Sequence, residues 1–488
     1  MIIYNGGSCQ PLDRIVLFPF DDHSVPLQTG LDLQLIPHRT YPAKPSRIVV
    51  PLGDPGTPDS RAVCYYGTVC RVGEELWMWY LGQDDRDDTW FQRICFARST
   101  DGYHWEKPDL GLVSYHGDTH NNLVDLNQGS HHVQACVVFH DPDDPDPSRR
   151  FKMAYQCRHY NNHFAVAFSE DGLTWRDSAN NPVGPHLEMA GGVRHNGVYV
   201  LSGQGGAHPR PTRQMVNHIS YDFETWSEAF HIGLTRGNSH LDPHGTNVGP
   251  QVHLGAAMWD RGNVLLGVYG QWNGHHTNDR RFTHMDLGLT VSNDAIHHRE
   301  PIHEFPFVSA SQDGWYLMPE GNPSISKYPA LIQGQGFENV GEETLFWYGP
   351  WPEQISDGVR VAAWKRDRLG YFCGYLRQGW QADLSHHFVS APIDLQGKPA
   401  RVSINAEGLG DHGQVSVEIL DETLLPVEAY GREQATPIVA AGFDQTAEWG
   451  AVHDVRMAGS GKVRLRVHIE GVRPEDARVY AVYLDAVQ

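Results

Sequence analysis

The sequence predicts an all-β chain, a five-bladed β-propeller followed by a C-terminal β-sandwich, and three observations carry that expectation. A short phrase recurs as STDGYHW at 99–105, SEDGLTW at 169–175 and SYDFETW at 220–226, with a weaker copy, SNDAIHH, at 292–298. An apolar-aromatic run precedes each copy: LWMWY at 76–80, RFKMAY at 150–155, VYVLSG at 198–203 and VLLGVYG at 264–270. A fifth run, TLFWYG at 344–349, leads into VRVAAWKRD at 359–367, a worn second half of the same unit. Strand-rich units repeated at this scale imply one blade-like sheet repeated around an axis. Beyond about Gly379 the pattern changes to strict alternation of apolar and polar residues.

Composition agrees and narrows the function classes. Among 488 residues, 14 Trp and 20 Tyr beside 50 Gly and 31 Pro suit many short strands joined by tight turns. No stretch is long and apolar enough to span a bilayer, so no membrane partner is expected. The start, MIIYNGGSCQPLDRIVLFPF, has no basic segment followed by an uninterrupted apolar run, so no signal peptide is expected. Seven cysteines without metal-type spacing fit reduced and mostly buried thiols and a cytoplasmic location. A formal charge of −21 argues against a nucleic-acid partner, because phosphates need a basic stripe. The 29 histidines are read as polar pocket lining. Self-association into a homo-oligomer is compatible with this composition.

Taken in order, residues 1–60 read as an irregular, Pro-rich lead-in and ring closure. Five units then fill the propeller to residue 378, and 379–488 form the sandwich. The first strand of each unit reads AVCYYGTVCRV (62–72), HVQACVVFH (132–140), LEMAGGVRH (187–195), GPQVHLGAAMW (249–259) and NPSISKYPALIQ (322–333). These strands are rich in small residues, as strands crowded around an axis should be. The aromatic run is the second strand, and the third enters the repeated phrase. There Asp and Gly make a tight turn and Trp packs across the outer strands of its own blade. The phrase is structural punctuation and carries no chemistry. In the last part, VSVEILD (415–421), VRLRVHIEG (463–471) and VYAVYLD (479–485) alternate with period two, as strands with one face on a core do.

Five blades followed by a sandwich resemble the fructan- and sucrose-cleaving glycoside hydrolases of family 32. The propeller alone also resembles family 43 and the mannoside phosphorylases. FVSAPIDLQGKPARVSINAEG followed by VSVEILD is similar to the family 32 C-terminal module. LFPFDDHSV, STDGYHWEKPDLGLV and GNPSISKYPALIQGQGFENVGEETLFWYGPW look like a wider set of bacterial proteins related to that family. The chain lacks Trp-Met-Asn-Asp-Pro-Asn-Gly, a clear Arg-Asp-Pro and Glu-Cys, the motifs that carry that family's catalytic acids, so residue roles do not transfer with the fold.

Topology sorts the candidates instead. In an antiparallel blade, the start of the first strand and the loop between the second and third strands share one face; the turn between the first two strands lies on the other. The resemblance places ligands over the axis on the former face. His140-Asp141-Pro142 looks like Arg-Asp-Pro but opens an inter-strand turn, and is expected to be an exposed acidic turn. Glu188 starts the first strand of blade three, where the resemblance places the general acid and where Met189 and the central strands would shield it. Glu320 precedes the first strand of blade five, and Asp242 with His244 precedes that of blade four. Asp21 and Asp22 precede blade one and are assigned to the closing strand, with Asp22 the preferred nucleophile or base. The loops between second and third strands offer Arg210, Arg213, Trp272, His276 and Arg280 as binding groups, since aromatics cover sugar C–H faces and forked donors bind hydroxyls. His132 begins the first strand of blade two. The pairs His131–His132 and His275–His276 lack HxH or HExxH spacing, so no metal and no cofactor is expected, although an axial Ca²⁺ would be compatible.

The expected activity is glycoside hydrolysis or transglycosylation of a small furanoside or oligosaccharide, with fructose- and arabinofuranose-type substrates implied by the resemblance. Glu188 is the expected acid/base, and Glu320 or Asp242 the alternative or third carboxyl. Two other readings stay open. One is a non-catalytic carbohydrate-binding propeller; the other is an inorganic-phosphate-dependent phosphorylase, which would use Arg280 and Arg281 beside His284.

Overall fold

The structure, a computed structural model, describes residues 1–38, 48–87, 92–126, 132–205, 213–237, 247–313, 328, 330–351, 356–375, 385–457 and 461–487. Among them the chain is all-β, with helix confined to short 3₁₀ turns. No helix among the described residues is long and apolar enough to cross a membrane.

Five antiparallel meanders carry the repeats. Blade one is Ala62–Val72, Glu75–Gln83 and Arg93–Ser99. Blade two is Val133–His140, Phe151–Cys157, Phe164–Ser169 and Thr174–Asp177. Blade three is Leu187–His195, Val198–Gly205, Met215–Ser220 and His231–Leu234, and blade four is Gly249–Asp260, Leu265–Gly274 and His284–Ser292. Blade five is Leu331–Val340, Glu343–Pro350 and Gly358–Lys365, with Ile48–Pro51 paired onto its outer edge. The first strands touch in the cyclic order one, two, three, four, five and back to one. Blades five and one meet at a parallel bridge between Gln335 and Thr68. The ring is therefore closed twice, by this bridge and by the N-terminal strand on the last blade.

Close approach at the axis explains the small residues there. A Cβ on Gly191 would lie 2.2 Å from the Ala256 carbonyl oxygen, and one on Gly255 would lie 2.3 Å from the Gly203 nitrogen. All five first strands are bulged, with register shifts at Cys64/Thr68, Val133/Ala135, Met189/Gly191, His253/Ala257 and Gln333/Phe337. A bulge leaves residues unpaired and re-aims their side chains. Here five of them face one another around the axis.

The repeated phrase does more than turn the chain. Ser99 Oγ accepts the Gly102 N–H at 2.9 Å, and Asp101 Oδ1 accepts those of Tyr103 and His104 at 2.9 and 2.8 Å. The Gly102 carbonyl then takes the indole N–H of Trp347, from blade five, at 3.0 Å, while the Gly172 carbonyl takes that of Trp79, from blade one, at 2.9 Å. Trp105, expected to pack within its own blade, meets Trp347 of blade five edge-on at 5.8 Å. The phrase thus latches each of these blades to the one before it. Both donor indoles, on Trp79 and Trp347, are fully buried, worth about 2–3 kcal/mol each in apolar burial.

The sandwich draws strands from both ends of the chain. One sheet pairs Ile2–Ile3 with Ile393–Asp394 and Leu27–Thr29 with His386–Val389, alongside Gly413–Asp421 and Lys462–Gly471. The other pairs Arg14–Leu17 with Arg478–Ala486 and Leu31–Leu35 with Gly370–Gly374. Met1, Ile3, Ile15, Leu17 and Val25 share its core with Val402, Ile419, Val467 and Val482. This differs from the expectation that residues 1–60 lead into the propeller. Of that stretch, Ile48–Pro51 closes the ring and the strands before it complete the sandwich. The sandwich also begins by Gly370, ahead of the expected residue 379. The run LFPF explains this: Leu17 points into the sandwich core, while Val16, Phe18 and Phe20 pack with Leu287, Phe346, Trp364 and Tyr483 between the sandwich and blades four and five.

Candidate functional site

The bulges build a pocket over the axis. It is lined by Tyr66, Gln134, Ala135, Glu188, His253 and Leu254 from the first strands of blades one to four, by Gln156 near the end of blade two's second strand, and by Gln92, Arg280 and Trp351 from segments beyond the second strands. This is the face that blade topology singled out. Tyr66, Gln134 and Leu254 fall within register shifts of their strands. Leu254 holds a left-handed φ of 56°, a conformation that costs an L-residue about 1–2 kcal/mol and is kept by the surrounding structure.

Glu188 is the one carboxyl among the described lining residues. Its Oε2 accepts Nε2 of Gln204 at 2.9 Å, and Oε1 of Gln204 accepts the Leu254 N–H at 3.3 Å. The second bond settles the orientation of the amide, so its donor end faces the carboxylate. Opposite lies an aromatic wall. The His253 ring stacks on Trp272 with centroids 5.8 Å apart, and Trp351 meets Trp272 edge-on at 5.4 Å. Arg280 lies over the Trp351 ring at 4.9 Å, and Arg213 over Trp272 at 4.0 Å. Burial, with Arg213 and Arg280 nearby, keeps the His253 pKa well below the ordinary histidine value. Amides, an arginine, a neutral imidazole and aromatic faces around one carboxyl suit a neutral polyhydroxyl ligand.

The expected residues fall in different places. Glu188 and Arg280 line the pocket. Trp272 and Arg213 stand behind it: Trp272 is fully buried, with its indole N–H on the Asn247 carbonyl at 2.9 Å, and Arg213 bonds Asn247 Oδ1 at 2.6 Å. His132 is buried beside it, its carbonyl accepting the Arg158 N–H, and His276 is exposed against the His275 ring. Glu320, Asp242, His244 and Arg210 lie outside the described residues, as does His131.

Asp21 and Asp22 require correction. They sit on neither the closing strand nor the pocket wall. Asp21 is fully buried and accepts Arg299 at 2.9 Å and Asn293 at 3.3 Å, while the exposed Asp22 accepts Arg299 at 2.5 Å. The pair fastens the N-terminal segment to the outer turn of blade four. Asp141 lies away from the pocket, as expected, but it is not an exposed turn residue. It is 7% exposed and binds Lys152, Arg194 and the Tyr199 hydroxyl. Against the cost of burial, Tyr199 and Lys152 hold its carboxyl below the usual range.

Tyr66, Gln92, Gln134, Gln156, His253 and Trp351 are additions to the expected set. A local signal for three pocket positions lies in the first strands, where Tyr66-Gly67, Gln134-Ala135 and Leu254-Gly255 each put a larger residue before a small one. Among the described residues no group of three or more His, Cys, Asp or Glu gathers to hold a metal ion.

No protein-family model and no curated protein matches the chain. Solved structures are similar at low identity. A glycosyl hydrolase from Bacteroides ovatus aligns with 68% of this chain and 94% of its own, at 15% identity and a TM-score of 0.42. A fructofuranosidase from Schwanniomyces occidentalis, complexed with fructosylnystose, covers 92% of this chain and 99% of its own at 12% identity and a TM-score of 0.41. A thermostable family-43 glycoside hydrolase covers 70% and 95% at 12% identity, with a TM-score of 0.39.

Proposed function

We propose that the chain is a glycoside hydrolase, or a transglycosylating relative, that binds a small furanoside or oligosaccharide in the axial pocket. Glu188 acts as its acid/base carboxyl. The observation that carries this reading is the position of Glu188 itself: a carboxyl oriented by Gln204 at the axial mouth, ringed by amides, an arginine and aromatic faces. Cleavage needs a second carboxyl across the bond. Asp22 is withdrawn from that role because it pairs with Arg299 on an outer turn. Glu320 and Asp242 remain the proposed partners, because each precedes a first strand whose start faces the axis. Fructose- and arabinofuranose-type substrates are favoured by the sequence resemblance.

The test is reducing-sugar release from fructans, arabinans and mannosides, with and without inorganic phosphate, by wild type and by Glu188→Gln. Hydrolysis predicts release without phosphate. Phosphate-dependent release would instead favour the phosphorylase reading, with Arg280 in the pocket wall as its supporting observation. Sugar binding without release from any substrate would favour the non-catalytic reading.

A further inference from the structure

The pocket also holds a histidine whose protonation state is dictated by its surroundings. His253 is the last paired residue of Gly249–Asp260 before its bulge, opposite Gly270, and is 4% exposed. Its carbonyl accepts Nε2 of Gln333 at 2.8 Å, and the next residue, Leu254, donates its N–H to Gln204, so the peptide that follows His253 is held at both its C=O and its N–H. The ring stacks on Trp272, while Trp351 and Tyr66 each lie 6.3 Å away, edge-on and tilted. Turning the ring would displace one of these three.

Its Nδ1 is buried without a hydrogen-bond partner, while the residue lines the pocket. A neutral imidazole carries one N–H and one bare nitrogen. Orphaned N–H groups are the rarer and costlier kind of buried polar group, so the bare nitrogen belongs at the sealed Nδ1 and the proton at Nε2. The charged groups that bear on the ring are the cations Arg213, before Met215–Ser220, and Arg280, in the turn Arg280–Phe282. The carboxyl of the same pocket, Glu188, is engaged by Gln204. Protonation at Nδ1 is opposed on every side.

We propose that His253 is a specificity-determining hydrogen-bond donor, fixed as the neutral Nε2–H tautomer and directed at a substrate hydroxyl oxygen in the axial pocket. This rests on the carbohydrate reading above. A fixed donor in a buried wall rejects an analogue that lacks its acceptor, because the N–H is then left unpaired.

The test has two arms on the full chain. Nitrogen-15 histidine spectra of wild type, assigned against His253→Gln, are expected to show the neutral Nε2–H pattern unchanged from pH 5 to 8. A resonance that titrates near 6.5, or an Nδ1–H pattern, would overturn the proposal. Calorimetric binding of methyl β-fructofuranoside, methyl α-arabinofuranoside and methyl β-mannopyranoside forms the second arm. His253→Gln, which keeps an N–H donor, should bind within about fivefold of wild type, and His253→Phe should bind at least about tenfold more weakly. Equal binding by His253→Phe would overturn the donor role and leave the carbohydrate reading intact. No binding of any of the three by wild type would sink the carbohydrate reading, and the donor role with it, whatever the tautomer.

Discussion

Gln204 ties the carboxylate of Glu188 on blade three to the bulge of blade four: Nε2 donates to Glu188 Oε2 at 2.9 Å while Oε1 receives the Leu254 N–H at 3.3 Å. His253, the last paired residue before that bulge, lines the pocket beside Leu254. One amide therefore sets both the orientation of the acid and the backbone that carries the neighbouring histidine. The outer turns and the N-terminal strands bear on this site only by holding the blades in register. Substitutions there should affect stability before activity.

Asp22→Asn tests that separation. The Asp22 side chain is 71% exposed and pairs with Arg299 on an outer turn, and surface ion pairs are worth about 0–1 kcal/mol. Activity should stay within about twofold of wild type, with unfolding in urea shifted by no more than about 1 kcal/mol. A loss of more than a hundredfold in kcat/KM would return Asp22 to the active site.

Gly102→Ala tests the latch between blades five and one. Gly102 has φ +76°, and an added Cβ would lie 2.6 Å from Leu345 Cδ1 and 2.8 Å from Trp347 Cζ2. Strain and overpacking together should cost about 2–4 kcal/mol. Gly111→Ala is the control, at φ +66° with no atom within 4 Å, and should cost about 1–2 kcal/mol from backbone strain alone. Equal costs in denaturant unfolding would mean that the inter-blade packing contributes nothing.

His195 gives the fold a pH dependence whose sign follows from geometry. Its Nδ1 lies 2.8 Å from Asp260 Oδ2 and its Nε2 lies 2.7 Å from the Gly7 carbonyl, and only an imidazolium can donate at both nitrogens. Although burial lowers it, hydrogen bonding to and attraction by Asp260 raise the His195 pKa above 6.5. The stabilisation is therefore complete below the unfolded value, about 6.5, and is lost as pH rises through the higher folded value. The stability gap between wild type and His195→Gln, from urea unfolding, should be widest near pH 5.5 and narrow towards pH 8.5. A gap that is constant with pH would show that His195 is not charged in the fold.

The sequence made the blades readable because their signals are local. The Ser-x-Asp-Gly-x-x-Trp turns and the aromatic second strands fall where the repeat placed them. Two first strands, Ala62–Val72 and Leu187–His195, match residue for residue. Blade five's first strand was expected at 322–333 and runs Leu331–Val340 among the described residues, because its small-residue pattern continues through Gly334 and Gly336 into the aromatic Phe337. The N-terminal strands were misassigned for another reason. Their partners lie more than three hundred residues away in the sandwich, and nothing local in LDLQL or RIVL names a partner. At the site, Glu188 and Arg280 were legible from strand topology. His253 and Tyr66 were not, because the first adjoins a bulge and the second lies in one, and a bulge breaks the period-two alternation on which strand reading depends.

The central claim, that Glu188 supplies the proton at a glycosidic bond, is tested most directly by pairing Glu188→Gln with two leaving groups on whichever sugar the screen identifies. An alkyl glycoside needs protonation of its departing oxygen, and a dinitrophenyl glycoside does not. The account predicts that Glu188→Gln loses about 10²–10⁴-fold in kcat/KM on the alkyl glycoside and less than about tenfold on the dinitrophenyl glycoside. Wild-type rates on the alkyl glycoside, or equal losses on both, would contradict it.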